Sequence, residues 1–140
     1  MKQPAFHLPV RVYYEDTDAA GVVYYASYLK FIERGRTEWL RELGYEQTRL
    51  AQDMGIAFAV RSMTAEYFKP ARLDDQLNVC TSMLSLGRAQ LVFEQKVERD
   101  NELLFSANIR VACFDPLRHK ATAMPKALHE KFKALIGKHP

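Results

Sequence analysis

The spacing of the apolar residues changes from a helical to a strand-like period at residue 56, and this change narrows the possible folds more than any other feature. Bulky residues recur at helical spacing over residues 24–43, which predicts one long helix with a broad apolar face. Strand-like alternation follows in four long segments, namely residues 56–68, 76–86, 89–99 and 102–114. We therefore predict an α+β fold in which one curved antiparallel sheet wraps around one long central helix.

Three shorter elements are predicted outside these segments. Residues 8–14 favour a first strand, and residues 45–54 favour a second short helix or a loop. A final helix is expected to begin at Pro125 and to end before Gly137, because proline favours the first turn of a helix and glycine its end. No repeat or linker interrupts the chain, so residues 1–140 are expected to form a single domain.

Two local features predict particular backbone geometry. Asp100-Asn101 separates the last two long strands and predicts a two-residue hairpin turn. Gly35 interrupts the long helix on its apolar side and should cost about 1 kcal/mol in helix propensity relative to alanine. We interpret Gly35 as a position where the missing side chain lets another backbone approach closely.

The composition excludes several classes of protein. The 140 residues are 48% hydrophobic and 26% charged, as in a soluble globular protein, and the net charge of +3 comes without any basic run. We therefore expect no nucleic-acid partner. No segment resembles a secretion signal or is apolar enough to span a membrane, so a cytoplasmic location is expected. Cys80 and Cys113 lie in alternating segments rather than in a metal-binding pair, which favours buried free thiols.

The residues available for chemistry are mainly carboxylates. The chain lacks a Gly-x-Ser-x-Gly motif, a phosphate-binding glycine loop and a His-Glu-x-x-His motif. His7, His119, His129 and His139 all lie in the terminal regions, away from the predicted core strands and the long helix, so no histidine is an obvious base for a serine or cysteine nucleophile.

An acidic segment stands directly before the long helix. Glu15, Asp16 and Asp18 fall within four residues, close to backbone N–H groups that carry partial positive charge. These acids can serve simply as turn and cap residues, or they can take part in acyl chemistry. We expect no metal here, because magnesium and calcium sites draw further oxygen ligands from elsewhere and none is evident.

Residues around the acidic segment resemble the active-site motif of the 4-hydroxybenzoyl-CoA thioesterase family of hotdog-fold enzymes. The matching groups are Arg11-Val12, Thr17-Asp18, Gly21-Val22-Val23 and Tyr28-Leu29. The resemblance extends along the chain through residues 11–18, 33–38, 70–75 and 115–117, where the sequence is similar to the acyl-CoA thioesterases encoded with the Tol-Pal envelope system of Gram-negative bacteria.

This resemblance implies hydrolysis of an acyl-CoA thioester to a free acid and coenzyme A, without a cofactor. It also implies a five-stranded hotdog sheet, a homodimer or a dimer of dimers, and active sites at the protomer interface. The catalytic carboxylate of the family falls on Asp18, as nucleophile or as general base, and a backbone N–H that polarises the thioester carbonyl falls on Tyr25.

One residue departs from the Tol-Pal-associated pattern. Those proteins usually carry histidine where this chain has Tyr25, and a tyrosine phenol, with an ordinary pKa near 10, is a poor base at neutral pH. We therefore expect Tyr25 to act through its N–H alone. The departure also leaves open a weakly catalytic or non-catalytic protein that binds acyl carrier protein or phospholipid-synthesis enzymes. A hotdog dehydratase is disfavoured, because that chemistry relies on a core histidine.

The substrate-binding residues follow from the same resemblance. Phosphates of coenzyme A are expected to meet basic residues near strand ends, for which Arg88, Arg118 and Lys120 are the candidates. Basic surface residues such as these are more often simply solvated charge than ligands of a phosphate. The acyl chain is expected to lie on apolar residues such as Phe58 and Val60.

Overall fold

The protein forms one curled antiparallel sheet around one long helix. A computed structural model describes residues 5–136. In chain order the elements are strand β1 (Phe6–Arg11), a 3-10 turn (Tyr14–Asp16), helices α1 (Ser27–Glu42) and α2 (Gln47–Met54), strands β2 (Ala57–Tyr67), β3 (Gln76–Leu86), β4 (Gln90–Arg99), β5 (Glu102–Asp115) and β6 (Lys120–Ala121), and helix α3 (Lys126–Ile136).

The five long strands follow the order β1-β3-β4-β5-β2, and every neighbouring pair is antiparallel. Strand β6 adds a short antiparallel pair to the end of β5. The predicted α+β class and the sheet wrapped around a central helix are confirmed, and the arrangement is that of a hotdog fold. Strands β1 and β2 form the two edges of the sheet.

Helix α1 buries one face against the inside of the sheet. The buried apolar side chains of this face include Tyr28, Phe31, Ile32, Trp39 and Leu40. The sheet surface that packs against this face is formed by alternate residues of β3, β4 and β5, because successive side chains of a strand point to opposite sides. The helix and the sheet therefore share one continuous core.

The predicted start of the long helix was three residues too early. The chain turns between Tyr24 and Ser27, where the Ser27 N–H donates to the Tyr24 carbonyl over 2.8 Å, and α1 begins only at Ser27. As a result Tyr25 remains 63% exposed, although its spacing placed it on the apolar face. The first strand was also placed too late, because Tyr14 lies in the 3-10 turn.

Gly35 does mark a close approach to α1, but side chains make that approach rather than the backbone we expected. A Cβ atom on Gly35 would lie 2.8 Å from Thr81 Oγ1, 2.9 Å from Val79 Cγ1 and 3.0 Å from Gln95 Nε2. Real Cβ atoms essentially never approach another atom as closely as the first two distances, and the third is tighter than most real contacts. Any larger residue at position 35 must therefore displace these side chains or α1 itself.

Gln95 links the sheet to α1 at this point and is completely buried. Its Nε2 donates to the Ile32 carbonyl and to Thr81 Oγ1, both over 2.8 Å, and its Oε1 accepts from the Arg36 guanidinium over 2.9 Å. A buried amide is costly unless its donors and acceptor are all paired, and here they are.

The hairpin between β4 and β5 has the predicted two-residue turn. Asp100 and Asn101 have φ values of 50° and 66°, the left-handed conformation that such turns require at both positions. Strand β6, by contrast, was not predicted. Its two residues carry no alternation, and pairing with Phe114 and Asp115 alone defines them as a strand.

The two cysteines are free and buried, as predicted. The histidine prediction is wrong for His7, which lies in β1 opposite Cys80 of β3. Its Nδ1 is 2.9 Å from Asn78 Nδ2 and 3.4 Å from Cys80 Sγ. His139 lies outside the described residues, as does the predicted helix-ending Gly137.

Candidate active site

The three acids before α1 have different surroundings. Asp16 is 3% exposed, and its Oδ2 accepts the Tyr13 N–H over 2.8 Å. Its Oδ1 lies 3.8 Å from Lys30 Nζ. The carboxylate of Asp16 is thus used inside the fold, as expected of a cap residue. Glu15 and Asp18 are exposed.

Asp18 stands at the tip of a tight turn. We call residues 14–23, which comprise this turn and the residues that lead into it, the acidic turn. The Asp18 N–H donates to the Val22 carbonyl over 2.9 Å, and its carbonyl accepts from the Gly21 N–H over 3.0 Å. Gly21 has a φ of +80°, which other residues rarely adopt. The backbone that carries Asp18 is therefore tightly constrained.

The Asp18 carboxylate has one oxygen committed and one available. Oδ1 accepts the Ala20 N–H over 2.8 Å. Oδ2 makes no hydrogen bond or ion pair within residues 5–136. An exposed carboxylate on a fixed turn, with an oxygen free to act, suits either nucleophilic attack or proton abstraction.

The acidic turn is tied to the segment that follows β2. The Val23 N–H donates to the Ala71 carbonyl over 2.8 Å, and the Ala71 N–H donates to Tyr28 Oη over 3.0 Å. Val22 also forms an isolated bridge with Arg72. Burial raises the pKa of Tyr28, so its hydroxyl remains protonated while it accepts this bond.

A group of three charged residues holds the other end of the same segment. The Arg99 guanidinium donates to Asp75 Oδ2 over 2.7 Å and to Glu102 Oε1 over 2.9 Å. Burial of Asp75 opposes ionisation, but the hydrogen bond from Arg99 and one from the Arg72 N–H keep the pKa of Asp75 below its usual value. The Asp75 carboxylate, which helps to hold the segment bonded to the acidic turn, is therefore ionised at neutral pH.

Tyr25 lies in the turn between the acidic turn and α1. The carbonyl of the preceding Tyr24 is held by Ser27, whereas the Tyr25 N–H makes no hydrogen bond in the described part of the chain. The Tyr24 and Tyr25 rings lie 4.7 Å apart, and a hydrogen bond to the Tyr25 side chain raises the pKa of Tyr24. The ring of Tyr25 thus packs against that of Tyr24, while the Tyr25 N–H is unused.

Phe58 and Val60, the predicted acyl-binding residues, lie at the same cavity. Both line a cavity of about 340 Å³ between α1 and the sheet. Most of the other lining side chains are apolar, and they include Trp39, Phe93 and Phe132. The volume is typical of the lower range of small-molecule sites.

Two charged residues of this cavity were missed by the sequence reasoning, namely Glu33 and Arg36. Burial lowers the pKa of Arg36, which nonetheless remains a cation, and the neighbouring Glu33 opposes that shift. Arg36 follows Ile32 by four residues, so helical spacing alone placed it on the buried face. The bond to Gln95 that holds it there has no sequence signal.

The three basic candidates lie at one end of the sheet. Arg88, in the turn between β3 and β4, lines a cavity of about 260 Å³ with Lys126 and His129. Arg118 is exposed and lies 3.8 Å from Asp115. Lys120 is exposed in β6 and is paired through the backbone with Asp115. These positions fit surface charges that are accessible to a phosphate.

Within one chain, the structure does not bring the predicted catalytic and binding residues together. The turn at Tyr25 contacts Tyr67, which pairs with Phe105 near the start of β5. Phe58 pairs with Cys113 near the other end of that strand. Along β2, Phe58 and Tyr67 are nine residues apart, which corresponds to about 30 Å and exceeds the reach of any side chain.

Other kinds of site are not evident in the described part of the chain. Over residues 5–136, no cluster of three or more His, Cys, Asp and Glu side chains has a geometry that could hold a metal ion. Burial raises the pKa of both Cys80 and Cys113 to about 11, which keeps the thiols neutral and poorly nucleophilic. Among the described helices, none has the length and apolar character needed to cross a membrane.

Comparison with known proteins is consistent with this geometry. Residues 12–132 match the model of the thioesterase-like superfamily. The chain is 50% identical to the acyl-CoA thioester hydrolase YbgC of Escherichia coli O6:H1, over 95% of this chain and 99% of that protein. It is 44% identical to the acyl-CoA thioesterase YbgC of Haemophilus influenzae, over 96% and 99% of the two chains.

A solved structure adds support for the fold. The crystal structure of a probable thioesterase from Bartonella henselae is 35% identical and superposes with a TM-score of 0.83, covering 86% of this chain and 99% of that one.

Proposed function

Because this chain belongs to the thioesterase-like superfamily, we propose that it is an acyl-CoA thioesterase, which hydrolyses an acyl-CoA thioester to a free acid and coenzyme A. The observation that carries the proposal is an exposed carboxylate on a rigid turn, followed seven residues later in the chain by an unused backbone N–H before α1. The relatives named acyl-CoA thioesterases cover nearly the whole chain and support the same reaction class.

Asp18 and the Tyr25 N–H have complementary tasks in this reaction. Asp18 either attacks the thioester carbonyl carbon or removes a proton from the water that attacks it. In both cases negative charge develops on the carbonyl oxygen, and the Tyr25 N–H donates to that oxygen. The carbon–sulfur bond then breaks and coenzyme A leaves as its thiol. If Asp18 is the base, it returns to the thiolate the proton that it took from water, and the free acid forms directly. If Asp18 is the nucleophile, an anhydride between Asp18 and the acyl group forms, and water hydrolyses it to the free acid and the Asp18 carboxylate. A directed donor of this kind is worth about 2.7–4 kcal/mol, more than the roughly 0.3–1 kcal/mol of a surface helix dipole.

A dimer through β2 explains how residues about 30 Å apart can serve one site. Strand β2 is an edge, and its residues 59–64 are exposed on both faces. An antiparallel pair of two such strands, centred near residue 62, places the Phe58 end of one beside the Tyr67 end of the other. Each site would then combine Asp18 and Tyr25 of one protomer with the cavity at Phe58 and Val60 of its partner.

We further propose a homodimer or dimer of dimers in the cytoplasm, acting without a cofactor. Arg88, Arg118 and Lys120 are the candidates for contact with the phosphates of coenzyme A, and their exposed positions support that role. The cavity at Phe58 and Val60 supports an acyl group of modest size rather than an extended long chain.

The reaction is tested with a panel of short-, medium- and long-chain and aromatic acyl-CoAs, with release of free thiol as the readout. We expect turnover of short-chain or aromatic substrates and weak turnover of long chains. Negligible hydrolysis across the panel would instead favour the binding alternative, in which Tyr25 in place of histidine marks a protein that holds acyl carrier protein or a phospholipid-synthesis enzyme.

The role of Asp18 is tested by Asp18→Asn, which keeps the size and the Ala20 contact but removes the charge. We expect kcat to fall by about three orders of magnitude or more, as in other enzymes that lose a nucleophile or base, with the oligomer intact by light scattering. Glu15→Gln neutralises an exposed acid in the same turn and serves as the matched control with unchanged kcat. Full activity of Asp18→Asn would refute the assignment.

A further inference from the structure

Tyr67 reaches from the end of β2 to the backbone of the candidate active site. Its hydroxyl donates to the Tyr25 carbonyl over 2.9 Å, although the two residues are 42 positions apart in the chain. Tyr67 is the last residue of β2, and its ring crosses the gap between the sheet edge and the turn before α1. Within residues 5–136, this hydrogen bond is the polar contact that links Tyr25 directly to the sheet.

The ring of Tyr67 is fixed by two buried aromatic rings. It meets Phe105 edge-on with centroids 4.9 Å apart and meets Tyr28 edge-on at 5.5 Å. Phe105 and Tyr28 are themselves stacked at 5.0 Å and are 0% and 3% exposed. Because edge-to-face contacts define the orientation of a ring, the Tyr67 hydroxyl is held in one place even though the residue is half exposed.

The bond acts on the backbone unit that carries the proposed donor. The Tyr25 N–H belongs to the peptide group whose carbonyl, that of Tyr24, is held by the Ser27 N–H. The next peptide group carries the Tyr25 carbonyl, and Tyr67 holds that one. Because its own peptide group and the following one are both anchored, the direction of the Tyr25 N–H is fixed by one local contact and one tertiary contact.

We propose that Tyr67 is a positioning residue for thioester hydrolysis: its hydroxyl holds the turn at Tyr25 so that the N–H points at the developing oxyanion. The inference rests on the proposed function. Tyr67 touches neither the substrate nor Asp18, and it acts only through Tyr25. Burial raises the pKa of Tyr67, so its hydroxyl stays a donor at neutral and mildly alkaline pH.

The kinetic test uses Tyr67→Phe, which keeps the ring packing on Phe105 and Tyr28 and removes only the hydroxyl. We expect kcat to fall about 10-fold, with KM changed less than about 2-fold, because the interaction matters most in the transition state. Thermal denaturation should shift by no more than about 3 °C. Tyr45→Phe, which removes the hydroxyl of a half-buried tyrosine beside Lys131, is the matched control with unchanged kcat.

A structural test separates this inference from the proposed function. Amide hydrogen exchange of Ser27, measured by NMR, should be at least about 5-fold faster in Tyr67→Phe, while exchange at Val23 is unchanged. If the native protein hydrolyses nothing but Ser27 exchange rises, the proposed reaction fails and the positioning contact stands. Unchanged exchange at Ser27, or unchanged kcat in an active enzyme, overturns the role of Tyr67.

Discussion

Two parts of the chain meet opposite physical demands. One is the middle of α1, around Gly35, and the other is the approach to α1, by which we mean residues 18–26. At the middle, Gly35 has no side chain because Thr81, Val79 and Gln95 already occupy the space, and each polar group of Gln95 is paired. At the approach, Asp18 and Tyr25 are exposed and each retains an unused hydrogen-bonding group.

The contrast separates residues that stabilise the fold from residues that are held ready for a ligand. Buried polar groups are costly when unpaired, so the middle of α1 can tolerate no unused donor. Solvent satisfies unused groups at the approach, where a substrate can replace the water. Substitutions at the middle should therefore change stability, and those at the approach should change turnover.

The largest stability effect is expected for Gly35→Val. A branched side chain at this position must displace Thr81 or Val79, and the free energy of unfolding should fall by about 3 kcal/mol or more. Gly35→Ala should cost less, because about 1 kcal/mol of helix propensity is regained. Urea denaturation measures both, with the exposed Arg34→Ala as control. A Gly35→Val protein as stable as the native one would show that α1 is not in tight contact with the sheet.

Gln95→Met should have the next largest effect. Methionine matches the shape of glutamine but leaves Arg36 without its acceptor and removes two bonds to Ile32 and Thr81. We expect a loss of about 2 kcal/mol in the free energy of unfolding, measured in the same denaturation experiment. An unchanged or increased stability would mean that the buried amide contributes little beyond its packing.

Gly21→Ala should weaken the contrast between the two regions, because it affects both stability and turnover. Nothing lies within 4 Å of a Cβ at position 21, so the strain comes only from the positive φ and should cost about 1 kcal/mol. The turn that carries Asp18 would shift and kcat should fall. Gly21→Asn should be milder on both measures, since asparagine tolerates that conformation. Equal effects of the two variants would argue against backbone strain as the cause.

The smallest effect is expected for Tyr25→Phe. If Tyr25 acts through its N–H alone, removal of the phenol should change kcat by less than about 3-fold, far less than Asp18→Asn. Steady-state kinetics on the best substrate of the acyl-CoA panel provide the measurement. A loss of 100-fold would show that the phenol takes part in the reaction and would revise the role assigned to this residue.

The sequence predicted the elements better than their ends. The helix over residues 24–43 and the four strands are present because their periods of burial are long and regular. The start of α1 was misplaced because Tyr24 and Tyr25 continue the helical spacing, whereas hydrogen bonds to Asp16 and Ser27 hold them in a turn. Local spacing contains no information about those partners.

Similar reasoning applies to the candidate site. The acidic turn drew attention through three acids before a helix, but spacing did not distinguish the buried Asp16 from the exposed Asp18. The resemblance singled out Asp18, and the structure shows that the two carboxylates differ in burial and in their hydrogen bonds. The assignment of Asp18 and Tyr25 to catalysis stays a prediction until the variants are measured.

The sequence by itself determined the helix-and-sheet architecture, because alternation and helical spacing reflect which side of each element is buried. It also determined the hairpin turn at Asp100-Asn101, which depends on neighbouring residues alone. Only the tertiary structure decided that Gln95 fills the space above Gly35 and that Tyr67 holds Tyr25. These contacts join residues 42 or more positions apart, and no local preference of the chain encodes them.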